Sequence, residues 1–151
     1  MKKFKFRLQS VLEYRQRICD DLKGELLKAN QALALVEQDL LRMQTLLSEN
    51  LLDIQGVVPV SQVLLNAQIS QALGLKIDQA KALIEIRQQE VQSALDAYQE
   101  ASKDLKAVNV LKERKLQEYN KQLAEYESAT LDELAIQRSA KSAFKGKQAE
   151  G

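Results

Sequence analysis

Apolar side chains recur in steps of three and four along two long stretches of this chain, and its only proline, Pro59, lies between them. Alternating steps of three and four are the heptad rhythm by which an α-helix keeps a narrow stripe turned toward a partner helix. The first stripe runs Leu8, Val11, Ile18, Leu22, Leu26, Ala29, Leu33, Val36, Leu40, Met43 and Leu47, with Arg15 at a seam position. The second runs Leu73, Ile77, Ala80, Ile84, Val91, Ala94, Tyr98, Ala101, Leu105, Val108, Leu116, Tyr119, Leu123 and Tyr126, interrupted at Arg87 and Lys112. Polar residues in a seam set register at a cost in stability, or mark where another group binds. A lone helix could not hide so long a stripe, so each stripe is expected to cover the other.

The connection is the run Gly56, Val57, Val58, Pro59, Val60, Ser61. Proline cannot continue a helix without losing a hydrogen bond and clashing with the preceding turn, and glycine suits a helix C-terminus. Two helices joined by so short a link must run antiparallel. With Pro 1 and Gly 5 in 151 residues, the chain also lacks the recurrent turn signals of sheet folds. The expected fold is all-α, a long antiparallel two-helix coiled-coil hairpin forming one domain. Its first helix is placed at about 6–54, the turn at 55–60, the second helix at 61–138 and a frayed basic tail at 139–151. The second helix is expected to overhang the first rather than break at Gly74, because one interior glycine costs only about 1 kcal/mol.

The absence of histidine and the presence of one cysteine exclude the usual serine and cysteine triads and His/Cys metal centres. Cys19 has no internal disulfide partner and is expected to pack as a small apolar side chain. The carboxylates Asp20 with Asp21, Glu125 with Glu127, and Asp132 with Glu133 do not share a helix face as i, i+4 pairs would, so they form no acid/base constellation. No catalytic residue, metal or cofactor is expected, and the chain reads as a non-enzyme. The start, Met1 to Leu12, lacks the apolar run of a secretion signal, and no segment is apolar for long enough to cross a bilayer. These features predict a soluble cytoplasmic protein.

The formal charge of +1 conceals an uneven distribution. Met1 to Arg17 carries Lys2, Lys3, Lys5, Arg7, Arg15 and Arg17 against Glu13, and Arg138 to Gly151 carries four cations against Glu150. A hairpin gathers these two basic segments at one end, which invites an acidic protein, a membrane surface or nucleic acid. The acidity of the rest argues against nucleic acid, whereas Phe4 and Phe6 among the lysines could make a weak peripheral membrane contact. Alternatively they belong to a solvated helix start with both phenylalanines on the seam. Around the turn crowd Leu46, Leu47, Leu51, Leu52, Ile54, Val57, Val58, Val60, Val63 and Leu64, followed by Leu65 and Ile69. A two-helix hairpin has one inner face, so these residues form a binding surface unless the segment after Pro59 folds back over them.

The opening Phe4-x-Phe6-Arg7-Leu8-x-x-Val11-Leu12-x-x-Arg15, with Leu131-Asp132-Glu133-x-Ala135-x-x-Arg138 near the other end, resembles the FliJ family of flagellar type III export proteins. The resemblance covers nearly the whole chain. It implies an antiparallel coiled coil akin to the central stalk of rotary ATPases, which associates with the hexameric flagellar export ATPase. It further implies contact with the export gate membrane protein and with export chaperones, at the cytoplasmic face of the inner membrane at the flagellar base. On this resemblance Phe4, Phe6, Arg7, Leu8, Leu12, Arg15, Leu131, Asp132, Glu133 and Arg138 form the ATPase-facing end, which leaves the apolar tip toward the gate or toward client proteins.

Overall fold

The computed structural model describes residues 1–52 and 56–149, and consists of two helices, α1 (Gln9–Leu52, 44 residues) and α2 (Val60–Ala149, 90 residues). No strand occurs among the described residues, and the architecture is an all-α helical hairpin. Ile54, expected at the tip, lies outside the described residues.

The turn is built as its residues dictate. Gly56 has φ +100°, a left-handed conformation that costs glycine little and other residues more. Pro59 stands immediately before α2, and its carbonyl accepts the Gln62 amide at 3.1 Å and the Val63 amide at 3.3 Å. There its missing N–H costs nothing. Val57 and Val58 are left between these two backbone constraints as a short non-helical link.

The chain divides into two compact units, one of Met1–Tyr14 with α2 from Asp104 onward, the other of Arg15–Lys103. In the second unit the helices run antiparallel: Asn50 meets Asn66 and Ser70, while Val36 and Met43 share a groove with Ala80 and Leu83. Its most enclosed apolar side chains are Cys19, Ile77, Ala80 and Ala101. Leu22, Leu26, Ala29, Leu33, Val36, Leu40, Met43 and Leu47 are half-buried opposite Leu73, Ile84, Val91, Ala94 and Tyr98. No described side chain is fully enclosed, because a helix pair covers each member on one side only. The stability of the pair therefore rests on the length of the seam, at about 25 cal/mol for each Å² of apolar surface covered. Arg87, at the gap in the second stripe, is half-buried and bonds Glu90 on its own helix at 2.9 Å.

In the first unit α1 contributes only its opening turns, and the packing differs from the sequence expectation in three ways. Helix begins at Gln9 rather than Phe6. The half-buried positions of α1 there are Gln9 and Leu12, whereas Leu8 and Val11 are exposed. A step of three, not four, leads into this end of the seam, which rotates Leu8 and Val11 outward. The third difference is the tail: 139–149 is helical, not frayed. Its Ser, Ala, Lys and Gln residues carry little or modest helix penalty, and Gly146 costs only about 1 kcal/mol. α2 also passes through Gly74 without interruption.

Candidate functional site

Residues Met1–Leu8 precede α1 and lie against α2 as an amino-terminal arm. Alternate residues Phe4 and Phe6 are half-buried, while Lys3, Lys5 and Arg7 are exposed. Period-two alternation is the property of an extended chain, whose successive side chains point to opposite sides. One side of the arm is consequently aromatic and faces α2, and the other is cationic and faces solvent.

Two contacts fix the arm and a third fixes the start of α1. The Phe4 ring lies 5.5 Å from that of Tyr119, tilted by 52°, an arrangement that contributes about 0.5–1.5 kcal/mol beyond area burial. The Tyr119 hydroxyl donates to the Lys2 carbonyl at 2.7 Å. The Lys112 Nζ donates to Gln9 Oε1 at 2.9 Å. Lys112, an interruption in the second stripe, thus finds its partner across the helix pair and anchors the start of α1.

Beside the arm opens a cleft of about 570 Å³, lined by Phe4, Phe6, Leu8, Leu111 and Tyr119, with Lys5, Arg7, Lys115, Glu118 and Gln122. On the arm's other flank a second cleft is lined by Met1, Lys2, Lys3, Phe4, Lys5, Tyr119 and Gln122. Lys115 pairs with Glu118 at 3.2 Å, both largely in solvent, a contact of under about 1 kcal/mol. The surroundings of the arm are apolar within and cationic at the edge.

A chain with this helical hairpin and arm can be set against known families. A family model described as the flagellar FliJ protein matches residues 4–143. The chain belongs to that family. The match takes in the arm from Phe4, all of α1 and α2 as far as Ala143. No curated protein and no solved structure matches the chain. FliJ membership carries with it a flagellar, export-related role.

The residues that the FliJ resemblance assigns to one end separate into three environments. Phe4 and Phe6 pack on α2, with Arg7 and Leu8 exposed at the cleft. Leu12 and Arg15 are half-buried on the inner face of α1, Arg15 in the other unit, so they support the helix pair more than they present a surface. Leu131, Asp132, Glu133 and Arg138 stand on α2 beyond Leu123, where every described residue is exposed. That stretch also displays Leu134, Ile136 and Phe144. The sequence reading missed Leu111, Lys115, Glu118 and Gln122 as cleft residues; the alternation Phe4-x-Phe6 between exposed lysines was the signal that an extended arm needed a groove.

At the tip, within the second unit, Leu46, Leu51, Leu52, Val57, Val60, Val63 and Leu64 are exposed, together with Leu65 and Ile69, while Leu47 and Val58 are half-buried. Between the helices lies a polar layer beside Leu47: Asn50 Nδ2 donates to the Asn66 carbonyl at 3.1 Å and to Ser70 Oγ at 2.9 Å, and Asn66 is 8% exposed. Among the described residues the tip thus carries a polar contact between the helices, while Leu46, Leu51 and Leu52 of α1 stay exposed and are not covered by the residues that follow Pro59. No group of three or more His, Cys, Asp or Glu is placed to hold a metal among the described residues, and no described helix is long and apolar enough to cross a membrane.

Proposed function

We propose that this FliJ-family chain is a non-enzymatic export component that binds the hexameric flagellar export ATPase through its arm-bearing unit, like a central stalk, and promotes assembly and turnover of that ring. The single observation that carries the reading is the unpartnered end of α2. Leu131, Leu134, Ile136 and Phe144 all stand in solvent on a stretch with no covering helix. An isolated helix gains most of its stability from tertiary packing, and large exposed apolar side chains collected on one segment mark a surface awaiting a partner. The same unit carries the cationic arm, which would steer it toward an acidic or polar passage. In this reading the chain works at the cytoplasmic face of the inner membrane at the flagellar base.

Hydrolysis of ATP by the purified export ATPase, with and without this protein, tests the reading. The intact chain should raise turnover, and Arg7→Glu, Leu131→Ser and Arg138→Glu should each reduce that increase while far-UV circular dichroism stays unchanged. Equal turnover with and without the chain rejects it.

The exposed leucines and valines of the tip favour a second role for the same molecule. Its apolar exterior suits the export gate, export chaperones or their clients, because burying a polar layer while displaying leucines is costly unless something covers them. Polar replacement of Val57, Val60 and Leu64 should abolish such binding and leave ATPase turnover alone; retained binding would reject the tip as the contact.

A further inference from the structure

We propose that the cleft between the amino-terminal arm and α2 is a receptor for an acidic peptide segment bearing a bulky apolar side chain. The inference rests on the reading of the arm as a partner-binding end, and it names the chemistry of the segment bound there. The floor of the cleft is apolar, formed by Phe6, Leu8, Leu111 and Tyr119, with Phe4 beside them. Its rim is cationic, with Lys5, Arg7 and Lys115 against one carboxylate, Glu118. Across the arm Lys2 and Lys3 extend the positive field, and no acidic residue lines that second cleft. An apolar floor selects for a side chain that loses water on entering, and the charge around it selects for an acidic context.

The site is built before any ligand arrives. The Tyr119 bond to the Lys2 carbonyl and the Phe4–Tyr119 ring contact hold the arm wall against the α2 wall. Preorganisation of this kind lowers the ordering cost of binding. On the exposed edge of the arm, Lys3 and Lys5 stand two residues apart, ahead of the turn that holds Arg7. In an extended chain that places charges about 6.6 Å apart, the spacing at which alternate side chains of an extended acidic peptide recur. Single-stranded nucleic acid would need free aromatic faces for stacking, and a membrane would need outward aromatic anchors. Phe4 and Tyr119 instead use their rings on each other, so an acidic protein segment is the occupant the chemistry favours.

The test uses the full chain and three fluorescein-labelled peptides, read by fluorescence anisotropy. The first alternates Glu and Asp around a central Leu-Phe, the second replaces Leu-Phe by Ser-Ser, and the third replaces the acids by Lys. The first should bind on the order of tenfold more tightly than the second, the worth of burying a large apolar side chain, and the third should not bind. Lys115→Glu, at an exposed position that the fold does not need, should weaken the first peptide on the order of tenfold. Lys76→Glu, an equal change of net charge in the other unit, should leave it unaltered. Equal binding of the Ser-Ser peptide, equal weakening by the two reversals, or tighter binding of oligouridylate or anionic vesicles would each overturn the proposal. No ATPase is present in this assay. Peptide binding without stimulation of hydrolysis would reject the ATPase reading alone, whereas stimulation without peptide binding would reject the cleft.

Discussion

The Tyr119 hydroxyl donates to the Lys2 carbonyl at 2.7 Å, a bond between positions 117 apart in the chain. It ties the arm to the middle of a unit whose α1 portion has barely begun. A neutral hydrogen bond of this kind contributes about 1 kcal/mol, which corresponds to about a fivefold change in the population of a released arm. Tyr119→Phe keeps the ring contact with Phe4 and removes only the donor. Limited trypsin digestion, followed by mass spectrometry, should therefore show cleavage after Lys3, Lys5 and Arg7 accelerated about fivefold, with sites inside α1 unaffected. Unchanged arm cleavage would mean that the bond does not hold the arm.

Much of the hairpin was legible because a coiled-coil seam is a one-dimensional code. Leu22 through Leu47 and Leu73 through Leu105 turn inward where their spacing put them, and Gly56 with Pro59 marked the reversal. The arm was misread because Phe4, Phe6 and Leu8 fit both a helix start and an extended strand. Over so few residues, the periods of 3.6 and 2 differ by one side chain. What decides between them is a groove on α2, over a hundred positions away. The tail was misread for a related reason: loss of apolar periodicity signals loss of a partner, and 139–149 keeps its helix without one. The polar layer at the tip was hidden because Asn50, Asn66 and Ser70 carry no apolar signal, so the crowd of leucines and valines stood out while this layer did not.

The polar layer at the tip makes a distinct stability prediction. Asn50 Nδ2 spans to both the Asn66 carbonyl and Ser70 Oγ. Asn50→Ala should cost about 1 kcal/mol, read as a fall of about 2–4 °C in melting temperature for a chain of this size. The double change Asn50→Leu with Ser70→Leu replaces both side chains by apolar ones and should melt above the unaltered protein. A double variant that melts lower would show that the polar layer contributes net stability rather than register.

Cys19 is 6% exposed and is the sole thiol. A thiol-specific reagent such as dithionitrobenzoate should label it slowly in the folded chain and at once in guanidinium, and the slow rate should follow opening of the helix pair. Cys19→Ala should destabilise by about 1 kcal/mol, and Cys19→Ser by more, because a hydroxyl would be taken out of water at this buried position. Immediate labelling of the native protein would place the thiol at the surface.

The end of α2 separates what stabilises the hairpin from what the hairpin presents. From Ala124 to Ala149 every described residue is exposed, so this stretch loses little packing when it is removed. A chain ending at Arg138 should keep its melting temperature within about 1 °C, while its far-UV helical signal falls in proportion to the helical residues deleted. Leu131→Ser, within the remaining extension, should likewise leave melting unchanged, since its side chain is 66% exposed. The same change should weaken any partner that covers Leu131, Leu134 and Ile136. A truncated chain that melts several degrees lower, in a manner that depends on protein concentration, would instead identify a second copy of the chain as the cover for that surface.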